Sequence, residues 1–264
     1  MASKKPLIVK LGGSVITDKK RPFTIRKREL ARLSRELSGS RYPLIVVHGG
    51  GSFGHPVAAK YQLEQGYKHP AQRIGITLTR LAMNRLNTAV VYSLYSAGLP
   101  AVSIQPSACM TLDNGKIKTA NLSPIKKMLK LGMVPVLYGD VVFDEMRGVG
   151  ILSGDQLVSY LAQRLAARRV IVGVDVNGVY TSNPKLDKNA RLLPLITPST
   201  WKDLSFGFDE KTKDITGGMG YKIEELLKLA KAGIESEIVN ALKPGTIHQL
   251  VTGKKGLGTI IRGK

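Results

Sequence analysis

The 264-residue sequence predicts an α/β fold built around a largely parallel sheet. Three observations carry that prediction: short apolar runs alternate with longer segments of helical apolar spacing, the runs read as buried strands, and the helical segments have plausible ends. Leu7–Leu11 is the first strand, followed by a helical segment over residues 24–37 and a second strand over 44–47. A long helical segment from about Gln72 to Ala97 stops at Gly98, a residue suited to the turn that ends a helix. Residues 101–104 form the next strand, and the helix over 123–131 carries Pro124 in its first turn, where a missing N–H costs little. A strand over 134–138, a helix over 156–168, a strand over 170–174, a helix over 219–232 and strands over 237–239 and 259–261 complete the series. No internal repeat or low-complexity linker interrupts it, so one continuous structural domain is expected. A soft boundary falls at 168/169, where a fresh strand follows a helix, dividing the chain into residues 1–168 and 169–264.

With 43% hydrophobic residues the chain can build a sizeable core. The single Cys109 excludes an intrachain disulfide framework and a thiolate metal cluster, which suits a reducing cytoplasm. No apolar run reaches membrane-spanning length and no signal peptide is visible, so a cytoplasmic protein without a membrane partner is expected. A net charge of +21 invites a nucleic-acid reading. The basic residues are nevertheless spread along the chain and aromatics are only 6%, without the interleaved basic and stacking residues of a single-strand binder. A solvated surface serving an anionic small-molecule substrate is the preferred reading.

Residues 45–55 read Ile-Val-Val-His-Gly-Gly-Gly-Ser-Phe-Gly-His, an apolar strand breaking into a glycine loop with a histidine at each end. Such a loop lets backbone N–H groups close on an anion. Gly49, Gly51 and Gly54 also fit G-x-G-x-x-G, but a dinucleotide site needs an acidic residue about twenty positions on. Between Glu64 and Asp113 there is none; Arg73 could serve a phosphorylated ribose, yet that leaves the other glycine loops unused. Gly258 to Lys264 has Walker-like spacing without the Ser/Thr or the following helix, and is a decoy. Two further glycine loops are Lys10-Leu-Gly-Gly-Ser, leading to Asp18-Lys19, and Thr216-Gly-Gly-Met-Gly-Tyr-Lys222, the latter just before a helix. Gly12 and Gly13 would let backbone approach phosphate oxygens, Lys10 and Lys19 would add charge, and the helix start after Thr216 would favour a phosphate. Three such loops converge on a polyphosphate.

These motifs resemble the amino acid kinase family. The match runs in order through Lys-Leu-Gly-Gly-Ser (10–14) with Asp18-Lys19, the 48–55 loop, Val-Ser-Ile-Gln-Pro-Ser (102–107) and Ile-Leu-Ser-Gly-Asp (151–155). It continues through Asp-Val-Asn-Gly-Val-Tyr (175–180) with Asn183-Pro184, and Asp-Ile-Thr-Gly-Gly-Met (214–219) with Lys222. Gly173 and Asn177 depart from it, standing where relatives often have Thr and Asp. The resemblance implies a three-layer α/β/α sandwich, a homodimer, and ATP with Mg²⁺ as cofactors. The Ser-Phe-Gly-His ending is similar to that of members acting on isopentenyl phosphate, which implies ATP-dependent conversion to isopentenyl diphosphate in a mevalonate-type isoprenoid route. Residues 1–168 would then bind the acceptor and dimerise, and residues 169–264 would bind ATP.

An acceptor that is already a phosphate needs no general base; the obstacle is bringing two anions together, which lysines, backbone donors and Mg²⁺ relieve. By resemblance Lys10, Lys19 and Lys222 surround the transferring phosphoryl group, with Asp155 holding lysines in place as the fourth catalytic residue. The alternative for Asp155 is a carboxylate complementing a helix dipole, and for Lys19, beside Lys20 and Arg21, a surface lysine. Gly50, His55 and Gly154 would contact the acceptor phosphate, whereas His48 reads as structural. Lys10, Gly12, Gly13, Gly51, Asp175, Tyr180, Asn183, Gly218 and Lys222 would contact ATP. No protein metal-ligand cluster is visible, so Mg²⁺ would arrive with the nucleotide. Ile74, Ile76, Leu81, Met83 and Leu86 are a candidate wall for a hydrocarbon tail, with an ordinary core face as the alternative. A phosphonate kinase of the fosfomycin type and a non-catalytic basic nucleic-acid-binding or sensor protein remain as rival functions. Family members acting on acetylglutamate or uridylate are disfavoured by the His55 loop.

Overall fold

A computed structural model describes residues 4–205 and 213–264, with backbone alone for 203–205 and 213–217. Eight strands form the central sheet: β1 (Leu7–Leu11), β2 (Leu44–His48), β3 (Ala101–Ser103), β4 (Val134–Tyr138), β5 (Arg169–Val174), β6 (Leu195–Ile196), β7 (Ser236–Asn240) and β8 (Thr259–Ile261). Their order across the sheet is β6-β8-β7-β5-β1-β2-β4-β3. All neighbours pair in parallel except β7 with β8, so only the β6–β8 edge runs against the rest. Both halves of the chain contribute to this single sheet, and β1 joins them at its centre.

The continuous apolar runs have the burial expected of strands covered on both faces. On one face Ile8, Ile45, Leu137, Val170 and Val172 pack with Leu157 and Leu161 of the Gly154–Arg164 helix and Ile223 and Leu226 of the Lys213–Lys231 helix. On the other face Leu7, Val9, Val46, Val136 and Ile171 pack with Leu33 and Leu37 of the Lys27–Ser38 helix and Met83 and Leu86 of the Gln72–Ser96 helix. Successive residues of β1 thus belong to opposite cores, the period of two that a strand imposes. The result is a three-layer α/β/α sandwich. No helix among the described residues is long and apolar enough to cross a membrane.

Several elements differ from the sequence expectation. The helix expected over 156–168 spans Gly154–Arg164 and ends in a turn with Ala166 at φ +48°. The segment expected as a loop over 48–55 is mostly helix, because Gly51–Lys60 coils immediately after Gly50. The helix expected over 219–232 begins at Lys213, so Thr216, Gly217 and Gly218 lie within it instead of preceding it. The side chains of Asp214 to Gly217 in that motif fall outside the described residues. Gly258 to Lys264 holds β8, which removes the Walker-like decoy. A four-stranded sheet, which the sequence did not reveal, is made by hairpins of Met110–Asp113 with Lys116–Ala120 and of Asp140–Asp144 with Gly148–Leu152.

Candidate active site

The carboxyl ends of β1, β2 and β5 open into a cavity of about 800 Å³. Lys10, Lys19, Lys222, Asp155, Gly50, His55, Gly154, Gly12, Gly13, Gly51, Asp175, Tyr180, Asn183 and Gly218 all line it. Ligands of open α/β sheets bind at this end of the strands, where helix N-termini also point. Sequence motifs as far apart as Lys10 and Lys222 therefore meet, because parallel strands bring their ends to one edge.

Lys10 is the penultimate residue of β1, in register with Val47 of β2 and Val172 of β5, which buries its stem. Its ammonium lies 2.5 Å from Asp155 Oδ2, and Lys222 Nζ lies 2.9 Å from each Asp155 oxygen. One carboxylate thus holds two ammonium groups. Burial, and then the charge of Lys222, lowers the Lys10 pKa to about 7 against the opposing pull of Asp155. Burial alone would raise the Asp155 pKa, but Lys10 and Lys222 outweigh it and hold the carboxyl below its usual range. Asp155 stands in the first turn of its helix, whose Ser153 cap accepts the Gln156 N–H at 3.1 Å. Both sequence readings of Asp155 apply, with the lysine bridge the more consequential.

The first two glycine loops interlock. A Cβ on Gly13 would lie 2.4 Å from the Gly51 nitrogen, and one on Gly51, at φ +49°, would lie 2.1 Å from Thr17 Oγ1. Thr17 Oγ1 donates to the Gly13 carbonyl at 2.6 Å and accepts the Ser52 N–H at 3.0 Å, tying the loops together. Part of the glycine requirement is accordingly loop-on-loop packing. The Gly12 N–H donates to the Gly173 carbonyl at 2.9 Å, which ties the end of β1 to β5 while Gly12 lines the cavity. Gly173 itself has no room for a side chain, since a Cβ there would meet that of Ala241 at 2.7 Å.

His55 lies on the second turn of the Gly51–Lys60 helix, its ring close to Gly50, and faces the cavity. It is exposed, yet the surrounding walls withdraw enough water to lower its pKa, and the charges of Lys19 and Lys10 act in the same sense. Lys19 is exposed on the opposite loop and has no ion-pair partner among the described residues. His48 is fully buried, stacked on Tyr138, with its ring nitrogens facing the Gly49 carbonyl at 3.2 Å and Asn87 Oδ1 at 3.1 Å. Burial lowers its pKa to about 4, in keeping with its structural reading.

Asp175 accepts from Ser14 Oγ at 3.1 Å and pairs with Lys185 Nζ at 2.9 Å. Burial opposes its charge, but the Lys185 hydrogen bond and charge keep its pKa low. Neither Ser14 nor Lys185 was assigned from sequence; Lys185 follows Asn183-Pro184, and only the turn at 183–187 bends it back toward Asp175. Asp140, another unassigned cavity residue, accepts the Ser107 N–H at 3.1 Å, which gives the 102–107 motif a supporting role. Of the expected tail wall only Met83 lines the cavity. Ile74 and Leu81 are exposed on the outer face of their helix, Leu86 is in the core, and Ile76 packs in a small cluster behind. Ala58, Val141 and Ile151 are the apolar lining near His55 instead. The helical period explains the error, since one face of Gln72–Ser96 cannot carry residues 74, 76, 81, 83 and 86 together.

The sequence profile of the Amino acid kinase family matches residues 5–240. The chain belongs to the amino acid kinase family. It is similar to the isopentenyl phosphate kinase of Methanothermobacter thermautotrophicus, 44% identical over 98% of this chain and 99% of that protein. A crystallographic isopentenyl phosphate kinase superposes with a TM-score of 0.86 at 42% identity, covering 97% of this family member and 99% of that chain. The T. acidophilum isopentenyl phosphate kinase, solved as a product complex, gives a TM-score of 0.81 at 30% identity over 97% and 99%.

Proposed function

We infer that the protein is an ATP-dependent isopentenyl phosphate kinase. An acceptor phosphate oxygen attacks the γ-phosphorus of ATP in line, the bond from that phosphorus to the β-bridging oxygen breaks, and isopentenyl diphosphate and ADP result. The observation that carries the reading is that His55 and Gly50 line the same cavity as the Lys10–Asp155–Lys222 bridge. That pairing supplies recognition of an anionic acceptor beside charge for a transferring phosphoryl group. Near-full-length relatives named isopentenyl phosphate kinase support this acceptor over the phosphonate or non-catalytic alternatives.

In this account Lys10 and Lys222 neutralise phosphate oxygens while Asp155 fixes both ammonium groups and offsets their mutual repulsion. Lys19, unpaired and exposed to the cavity, stabilises the charge that builds on the transferring group. His55 and the amides of Gly50 and Gly154, the latter two at the starts of helices, hold the acceptor phosphate. Asp175, Tyr180, Asn183 and Gly218 lie on the nucleotide side. The cavity carboxylates are engaged by lysines, a hydroxyl or backbone amides, so the donor set fits a Mg²⁺ carried on the nucleotide's own phosphate oxygens. When bound, that ion withdraws charge from the phosphates. Residues 1–168 bind the acceptor, and residues 169–264 bind ATP.

The same reading includes a homodimer in the cytoplasm. Ile74, Leu78 and Leu81 and, three turns further on, Tyr92 and Tyr95 are exposed along one side of the Gln72–Ser96 helix, which packs beside the open edge strand β3. Phosphorus NMR of the reaction with isopentenyl phosphate tests the chemistry. The account requires a new coupled pair of diphosphate signals; hydrolysis of ATP to free phosphate with the monoester untouched would refute it.

A further inference from the structure

The loop that carries Lys19 is closed at its base by the bridge between Thr17 and Ile25 and by the Asp18 N–H, which donates to the Thr24 carbonyl at 2.9 Å. At its far end Phe23 sits at φ +51°, in the left-handed region that a bulky side chain rarely adopts. Strain of this kind persists only where the surroundings enforce it, and it concentrates at functional sites. Two contacts enforce it here. The Phe23 N–H donates to the Ser52 carbonyl at 3.2 Å, and the Phe23 ring packs edge-on against buried Phe53, with centroids 5.7 Å apart at 87°.

The Ser52 carbonyl is open for a reason written in the sequence. In the Gly51–Lys60 helix it would accept the N–H of residue 56, but residue 56 is Pro56 and has none. Phe23 supplies the missing donor from another loop. Ser52 also donates its own N–H to Thr17 Oγ1, so both ends of the Lys19 loop are fastened to one residue, three positions before His55.

We propose that Phe23 is the positioning residue for Lys19: it docks the lysine loop on the carbonyl left open by Pro56 and on Phe53, fixing Lys19 against the His55 helix. This rests on the reading of Lys19 as the group that stabilises the transferring phosphoryl. Steady-state kinetics and melting temperatures of Phe23→Ala, Phe23→Gly, Phe23→Tyr, Lys19→Ala and the Lys19→Ala/Phe23→Ala double variant test it. Phe23→Gly relieves the backbone strain, so it separates lost positioning from lost stability. Phe23→Ala and Phe23→Gly should lower kcat roughly ten-fold with KM for both substrates within about two-fold, Phe23→Tyr should restore turnover, and the double variant should be no slower than Lys19→Ala. If Lys19→Ala keeps the wild-type kcat, the reading of Lys19 fails. If Lys19→Ala is slow while Phe23→Gly turns over normally, or if the Phe23 loss persists undiminished without Lys19, the positioning role is overturned.

Discussion

Asp155 and Lys10 meet at 2.5 Å at the carboxyl edge of the sheet, where the same carboxylate also holds Lys222. This shared anion lets two ammonium groups stand in one largely buried place before any phosphate arrives. Asp155→Asn keeps the shape and removes the charge, so burial and Lys222 drive Lys10 toward its neutral form and the site loses positive charge. Its kcat should fall by about two orders of magnitude, and its melting temperature should drop as well, with ATP of the same concentration restoring part of the latter. Calorimetry and steady-state kinetics on one preparation check both.

The lowered Lys10 pKa, about 7 in the empty site, gives nucleotide binding a proton signature. A polyphosphate favours the charged amine and raises that pKa, so binding near pH 7.5 takes up a proton. Affinity for ATP should strengthen as pH falls from 8.5 to about 7, measured as buffer-dependent enthalpies by titration calorimetry. A Lys10→Met enzyme should lose this proton uptake.

His48 is a buried base whose folded pKa, about 4, lies below its ordinary value of 6.5. Between those values the unfolded chain binds the proton and the folded one does not, so stability is full above pH 6.5 and is lost as pH falls toward 4. The loss amounts to at most about 3 kcal/mol. Chemical denaturation across this window should show a shallower acid limb for His48→Gln than for wild type.

His55 and Lys19 should separate kinetically. His55→Gln should raise KM for isopentenyl phosphate by roughly ten-fold or more with a smaller change in kcat, whereas Lys19→Ala should act chiefly on kcat. The His55 pKa is lowered in the empty site, and a bound phosphate dianion opposes that shift. Acceptor affinity of wild type should therefore improve, relative to His55→Gln, as pH falls from 7.5 to about 6. The ratio of the two enzymes cancels the titration of the substrate itself.

Gly51→Ala forces a Cβ into the place of Thr17 Oγ1 at a left-handed backbone position. A cost above about 2 kcal/mol is expected, together with weaker acceptor binding as the two loops part. Equilibrium denaturation and KM for the acceptor measure the two effects.

Seven of the eight strands of the central sheet were legible because each is an apolar run between breakers, whereas β6, two residues long beside Pro194, gave no such run. Lys10 and Asp175 were legible because they stand at or just past the ends of such runs, while Lys19, Asp155 and Lys222 were marked by the family motifs. The Gly51–Lys60 helix was not legible: two glycines and Pro56 disfavour it locally, and contacts from Thr17 and Phe23 help to hold it. Lys116–Ala120 escaped notice since it is largely exposed and carries little apolar pattern. The pairing of Lys185 with Asp175 depends on how the turn at 183–187 folds back, and spacing alone does not encode that. The inward face of Gln72–Ser96 was misjudged because a mixed apolar list was not divided by the helical period.

The most direct measurement of the central claim is coupled ADP release by the wild-type enzyme with isopentenyl phosphate, dimethylallyl phosphate, fosfomycin, acetylglutamate and UMP as separate acceptors. The account predicts that kcat/KM for the isoprenoid phosphates exceeds that for each of the others by at least about a hundred-fold. Equal rates across the panel, or a preference for fosfomycin or UMP, would contradict it.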